Sequence, residues 1–181
     1  MPDHYTTIEH TQKWLSDVII GHGLCPFAKR EFDSGRIHYA VIEAKDIHGQ
    51  LEAIIIACEA LEDDVSIETT LLIFPDAVSI FEDFLDLLGI VNSLMKDLGY
   101  DGVFQLASFH PNYRFDATSD NDPSNYTNRS PYPMLHILRE ASVEAALKNY
   151  ESPENIPARN IELTQRLGLE MMKGLLADCY V

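Results

Sequence analysis

One cysteine near the start of the chain and two histidines in its second half are of the types that nucleophilic catalysis uses. We expect Cys25 and Pro26 to open a short helix, where oriented N–H groups favour the reactive thiolate. His110 or His136 could then act as the base. The simplest chemistry for such a pair is acyl transfer or hydrolysis. A buried, unreactive cysteine is the alternative interpretation.

The residues around His136 favour a base and an anion site on one helix. Ser130 and Pro131 are typical of a helix start, and we expect a helix from there to about Tyr150. His136 and Glu140 would then share a face, and Glu140 could fix the tautomer of His136 and raise its basicity. Glu140 is therefore a candidate catalytic residue. An ordinary polar pair on a solvated helix is the alternative.

A second group of residues indicates binding of an anion. Arg129 and Ser130 would stand at the expected helix start, where free N–H groups, the helix dipole and a guanidinium attract negative charge. Arg139 could add a second guanidinium, and Asn128 and Tyr132 flank the site. The leading hypothesis is therefore an enzyme that acts on a small anionic metabolite. An ion pair between Arg129 and a loop carboxylate is the alternative.

A metal site is a further hypothesis. His110, His136 and Glu140 could form a set of two histidines and one carboxylate, with Cys25 as an additional ligand. His22-x-x-Cys25 also has the spacing of a ligand pair, but one pair is a weak signal. The sequence lacks the two closely spaced pairs of a structural zinc site. We expect no cofactor, and one transition metal is the alternative.

The elements that must position these residues predict an α/β fold. Residues 36–43, 69–74 and 102–110 are predicted strands, and 46–61 and 77–98 are the predicted helices between them. Such alternation implies parallel crossovers. We therefore predict a single domain over 1–181, with a small, mostly parallel sheet of three to four strands flanked by helices and a long loop after the third strand.

The long loop is expected to carry function. It covers residues 111–131, and segments of this length in compact domains are usually functional or disordered. Tyr113, Phe115 and Tyr126 argue for order, since disordered segments contain few aromatic residues. His110 stands at the loop's start, where parallel sheets collect their ligands. A histidine that only bonds the loop backbone is the alternative.

Two further helices are predicted at the ends of the chain. Thr6-x-x-Glu9 has the spacing of a capping box, which predicts a helix of about 14 residues. Gly21 and Gly23 should end that helix. A last helix is expected over 160–177, where Gly168 and Gly174 weaken it.

Charge excludes several classes of partner. The chain has 13 basic and 29 acidic residues and a net charge of -16, so phosphate backbones and anionic lipids should repel it. We expect neither a nucleic-acid nor a membrane partner. A non-catalytic module that binds a basic protein is a third hypothesis. Three cysteines and the lack of a recognisable signal peptide favour the cytoplasm, and the oligomeric state stays open.

Several stretches together resemble one known family. They are Gly23-Leu-Cys-Pro-Phe-Ala28, the segment 105–111, the segment 125–140, the strand at 68–72, and Ile156-Pro-Ala-Arg-Asn160. They are similar to the bacterial family known as domain of unknown function 1415, over nearly the whole chain. The resemblance implies no particular activity. It supports Cys25, His110, Asn128, Arg129, Ser130, His136 and Arg139 as parts of the family pattern, whereas His22, Gly23, Asn112 and Arg114 depart from it.

Overall fold

The computed structural model describes residues 3–181, and a four-stranded sheet forms its centre. The strands are β1 (Ile37–Val41), β2 (Thr69–Ile73), β3 (Phe104–Phe109) and β4 (Met134–Arg139). Their order is β1-β2-β4-β3. The predicted α/β class with up to four strands is confirmed. The sheet is not mostly parallel, however, because only β1 and β2 pair in parallel, and β4 runs antiparallel to β2 and β3.

Strands β1, β2 and β3 nevertheless run in the same direction, and only β4, which lies between β2 and β3, runs in the opposite direction. Helix α3 (Ile47–Asp63) connects β1 to β2, and α4 (Phe81–Asp97) connects β2 to β3. The Asp46 carboxylate caps α3 by accepting a hydrogen bond from Gly49 N at 3.0 Å. The alternation of strands and helices in the sequence therefore predicted the strand direction correctly, but missed the insertion of a later strand.

The predicted helix over 130–150 is wrong in its first half. Residues 134–139 form β4, and the helix that follows, α5 (Glu140–Lys148), begins only at Glu140. Met134, Leu135 and Ile137 are fully buried, because β4 is a central strand with a packed layer on each face. Such a strand has apolar residues on both faces, so its pattern lacks the alternation that identifies a half-buried strand.

Two layers of helices cover the sheet. Helices α3 and α4 pack on the face that carries Leu72, Leu135 and Ile137. The other face carries Leu71 and Met134 and is covered by the two ends of the chain. The covering segments are α1 (His4–Lys13), a π-helical segment (Trp14–Ile20), α2 (Ala28–Asp33), α6 (Ile156–Leu167) and α7 (Leu169–Ala177).

Both predicted terminal helices exist in altered form. The first begins with Asp3, not Thr6, as its cap, since the Asp3 carboxylate accepts from Thr6 N at 2.8 Å, and it continues as the π-helical segment to Ile20. The last is divided into α6 and α7 at Gly168, whose φ of 80° and ψ of 163° favour glycine. No helix among the described residues is both long and apolar enough to cross a membrane.

The long loop after β3 is packed around one buried side chain. Asn125 Oδ1 accepts hydrogen bonds from Phe115 N at 3.0 Å and from the Thr118 hydroxyl at 2.9 Å. Its Nδ2 donates to Ser119 O at 2.9 Å. A short 3-10 helix, Pro123–Thr127, follows within the loop. The loop is therefore an ordered segment that is held together around Asn125.

Candidate functional site

A cavity of about 650 Å³ lies between the second face of the sheet and the segments that cover it. Apolar side chains form most of its wall: Trp14, Leu15, Ile19, Leu24, Ala28, Leu71, Phe109, Phe115, Ile156, Pro157 and Ile161. The polar residues that line it are Cys25, Asp116, Thr118, Ser124, Thr127, Asn128, His136 and Asn160. Among the described residues, no lysine or arginine lines it. The volume is typical of a small-molecule site.

Cys25 reaches the cavity from a turn, not from the start of a helix as predicted. Its carbonyl accepts a hydrogen bond from Ala28 N at 3.4 Å, and α2 begins at Ala28 with Phe27 as its cap. Pro26 therefore occupies the second position of a β-turn, which suits its fixed φ as well as a helix start does. The predicted activation of the thiol by a helix N-terminus has no structural basis. Cys25 itself is half-buried.

Helix α6 holds the Cys25 turn in place. Asn160 Nδ2 donates to Leu24 O at 2.7 Å, and the Arg159 guanidinium donates to Gly23 O at 2.8 Å. Gly23 has a φ of +66°, a conformation that favours glycine. Two neighbouring side chains thus fix the two carbonyls that immediately precede Cys25.

His136 lies at the floor of the cavity, on the central strand β4 between Leu71 of β2 and Ala107 of β3. Its Nε2 lies 2.5 Å from the Thr69 hydroxyl oxygen, and that hydroxyl donates to Ile137 O at 2.6 Å. Because a hydroxyl has one proton, Thr69 must accept from His136 Nε2–H. Burial lowers the pKa of His136 to about 4, so the ring is neutral at pH 7 and Nδ1 carries a lone pair.

The structure therefore brings Cys25 and His136, which are far apart in sequence, to one cavity. No hydrogen bond joins the two side chains in the described part of the chain. The other predicted catalytic residues lie elsewhere.

His110 lies on the opposite face of the sheet. It is fully buried, and its ring lies 5.2 Å from the rings of Phe81 and Phe84. Its Nε2 donates to Val78 O at 3.1 Å, and its Nδ1 accepts from Asn112 N at 3.0 Å. Both nitrogens are used, and burial lowers its pKa, so the geometry matches the alternative in which His110 bonds the loop backbone.

Glu140 is not a partner of His136. It begins α5, where its backbone N donates to Val103 O at 2.9 Å, and it lines a separate pocket with Tyr100 and Gln105. The metal set of His110, His136 and Glu140 is consequently not assembled. Within residues 3–181, no three histidine, cysteine, aspartate or glutamate side chains are arranged to hold a metal ion.

The two arginines predicted to bind an anion hydrogen-bond to backbone carbonyls instead. Arg129 donates to Tyr113 O at 3.1 Å and to Asp120 O at 2.9 Å, and its guanidinium lies 4.6 Å from the centre of the Tyr126 ring. The helix start that was to place it is absent, because a strand follows. This arginine therefore holds the long loop together.

Arg139 has a similar structural role at the end of α3. Its Nη2 donates to the carbonyls of Leu61, Ile67 at 3.0 Å and Asp64 at 3.3 Å. The carbonyls at a helix C-terminus lack partners within the helix, so a guanidinium stabilises them.

The remaining predicted binding residues also bond within the protein. Asn128 lines the cavity, but its Nδ2 donates to Ser108 O at 3.1 Å. The Ser130 hydroxyl donates to Tyr132 O at 2.6 Å, and the Tyr132 hydroxyl lies 2.7 Å from His10 Nδ1. Of this group, only Asn128 reaches the cavity.

A family model described as a protein of unknown function, DUF1415, matches residues 6–174. The chain belongs to this family. No curated protein and no solved structure matches the chain. The predicted membership is thereby confirmed, and the segments 23–28 and 156–160 that carried the DUF1415 resemblance meet at the Cys25 turn.

Several residues of the DUF1415 cavity were not predicted. Asn160 belongs to the segment Ile156-Pro-Ala-Arg-Asn160 that carries the family resemblance, but only the fold places it beside Leu24. Asp116 lies in the long loop that was expected to carry function, and it is exposed at the cavity. Trp14 lies within the first predicted helix and carries no expectation of a site role. Its indole N–H donates to Arg129 O at 3.0 Å, and its ring meets Phe109 at 5.1 Å.

Proposed function

We propose that this DUF1415 protein is a thiol-dependent enzyme of the acyl-transfer or hydrolysis type. Cys25 is the nucleophile, and His136 is the proton acceptor. The observation that supports this proposal is that the two side chains line one cavity of small-molecule size. Thr69 holds the His136 ring, and Asn160 holds the carbonyl that precedes Cys25. Nucleophile and base on a common cavity are the arrangement that covalent acyl chemistry requires.

The reaction proceeds in two steps on an ester. In the first, the Cys25 sulfur attacks the carbonyl carbon, the thiol proton passes to His136 Nδ1, and the ester C–O bond breaks. The leaving alcohol takes that proton, and a thioester remains on Cys25. In the second, water attacks the thioester, releases the acid and returns the thiol.

The charge of the cavity bears on the proton transfer. Because burial lowers the pKa of His136 to about 4, an imidazolium there is costly in the empty cavity. The oxyanion that forms when sulfur attacks the carbonyl would offset this cost, since opposite charges attract strongly in a desolvated site. The base thus becomes effective when the substrate reacts, which is differential binding of the transition state.

The proposed substrate differs from the anionic metabolite expected from the sequence. The two arginines on which the expected anion site depended donate hydrogen bonds to backbone carbonyls instead. No basic side chain of the described residues lines the cavity. Apolar walls instead favour a substrate with an apolar acyl group.

Acylation can be measured directly. The protein is incubated with 4-nitrophenyl esters from acetate to octanoate, and intact mass spectrometry records covalent acyl groups. We expect one acyl group on the wild type and none on Cys25→Ser. Cys58→Ser is the matched control and should acylate normally, because Cys58 is buried and burial raises its pKa to about 12. Acylation that persists in Cys25→Ser, or no acylation with any ester, contradicts the proposal.

A non-catalytic binding module is the second candidate. It is favoured by the missing hydrogen bond between Cys25 and His136 and by the low pKa of the His136 ring. In this case ligands bind in the cavity, but no ester acylates Cys25. The related proposal of a basic protein partner is supported by the net charge of -16.

A further inference from the structure

The hydrogen bonds around His136 determine which ligand groups it can bind. Thr69 is 5% exposed and gives its proton to Ile137 O, so it can only accept from His136 Nε2. The neutral imidazole has a single N–H, and this N–H is therefore used within the protein. Nδ1 is left as a pure acceptor.

Nδ1 of His136 is accessible from the cavity. It has no hydrogen-bond partner among residues 3–181, and it is not one of the enclosed side-chain atoms that lack a partner. His136 lines the cavity, so the open surface of this nitrogen is available to a ligand there.

Most other polar groups of the cavity wall are already bonded. The hydroxyl of Thr127 donates to Ser124 O at 2.9 Å, and Asn128 and Asn160 donate to backbone carbonyls. The groups without a hydrogen-bond partner in the described chain are the Cys25 thiol, the Ser124 hydroxyl, the exposed Asp116 carboxylate and His136 Nδ1. None of these is a cation that could bind an anion.

We infer that the cavity binds an uncharged, largely apolar molecule that carries one hydrogen-bond donor, such as a phenol, an alcohol or an amide N–H, and that His136 Nδ1 accepts this donor. The inference shares the cavity with the proposed function and deepens it, but it does not require chemistry at Cys25. A ligand that offers only acceptors would leave Nδ1 without a partner in a desolvated site.

A matched pair of small molecules tests this specificity. Trp14 is the single tryptophan of the chain and lines the cavity, so its fluorescence reports binding there. The dissociation constants of 4-ethylphenol and 4-ethylanisole are compared, because the ether lacks the donor. We expect the phenol to bind about tenfold more tightly, which corresponds to one buried hydrogen bond. Equal affinities, or no binding of either compound at millimolar concentration, overturn the inference.

Two sets of variants assign the preference to His136. In His136→Phe, the ratio of the two dissociation constants should fall to about one, since the acceptor to which the preference is assigned is lost. Thr69→Val frees the tautomer and should lower the ratio, whereas Thr69→Ser keeps the hydroxyl and should preserve it. The Thr69 pair decides the matter if His136→Phe does not fold. A ratio unchanged in Thr69→Val and in any folded His136→Phe contradicts the inference.

The ester experiment separates this inference from the proposed function. Preference for the phenol without acylation of Cys25 supports the binding class and contradicts the thiol enzyme. Acylation of Cys25 without preference for the phenol supports the thiol enzyme and contradicts the inferred ligand.

Discussion

Replacing Asn160 by alanine tests how α6 holds the Cys25 turn. Asn160 is 9% exposed, and its Nδ2 donates to the carbonyl of Leu24, which is itself 5% exposed. The alanine variant removes the donor and leaves a buried carbonyl without its partner, at a cost of about 1–3 kcal/mol. For a chain of 181 residues, the melting temperature should fall by roughly 2–12 °C.

The same variant should change the reactivity of Cys25. With Leu24 O released, the turn opens more often, and iodoacetamide should label Cys25 faster than in the wild type. Thermal unfolding followed by circular dichroism gives the stability, and peptide mass mapping gives the labelling rate.

Asn92→Ala is the matched control. Asn92 Nδ2 donates to Leu88 O at 2.9 Å, but on an exposed helix surface. This variant should change stability by less than about 0.5 kcal/mol and leave Cys25 labelling unaltered. The reasoning is refuted if both variants lose equal stability, or if Asn160→Ala melts and labels as the wild type does.

Three further predictions concern stability. Burial lowers the pKa of His136 from its ordinary value of 6.5 to about 4, so between these pH values the unfolded chain binds a proton that the folded chain does not. The free energy of unfolding should therefore decrease by up to about 3 kcal/mol as the pH falls from 6.5 to 4, and denaturant titrations of His136→Gln should lack this decrease. Gly168→Ala should lower the free energy of unfolding by about 1–3 kcal/mol, because Gly168 has a φ of 80° and a ψ of 163°. Gly174→Ala should raise it by about 0.5–1 kcal/mol, because this glycine is helical and a Cβ there meets no other atom. The melting temperatures of the two variants should therefore shift in opposite directions. Arg139→Met should lower the free energy of unfolding by about 2–3 kcal/mol in chemical denaturation, because three carbonyls lose a charged donor. Arg30→Met should leave it unchanged, because the Arg30 side chain is 81% exposed. Equal losses of stability in the two variants would contradict the role assigned to Arg139.

The sequence predicts the first half of the fold better than the second. The continuous apolar run at 69–74 predicts a buried strand, and β2 lies there. Asp46 predicts a helix start, and α3 begins directly after it. Residues 130–139 have two interpretations. Pro131 suits a helix start, and Leu135 and Leu138 suit a helical face, yet pairing with β2 and β3 makes the segment a central strand. Such tertiary pairing is not visible in a local pattern.

The candidate site is only partly predictable for the same reason. Residue type alone points to Cys25 and His136, and the structure places both at the cavity. The position of His110 after a strand predicts a site residue, but its side chain lies on the other face of the sheet. Neighbouring residues of a strand face opposite sides, so Phe109 and His110 illustrate how one position in register decides between a cavity and a core. The anion-binding role predicted for Arg129 depends on a helix start, and the structure has a strand there instead.

The most direct measurement of the central claim, that Cys25 and His136 share one functional cavity, is ligand protection of the thiol. The rate at which iodoacetamide modifies Cys25 is measured with and without 4-ethylphenol at ten times its dissociation constant. We predict that the ligand slows the modification about tenfold, since about one chain in eleven is then free, and that Cys58 is unaffected. A rate at Cys25 that does not change while the ligand is bound would contradict the account.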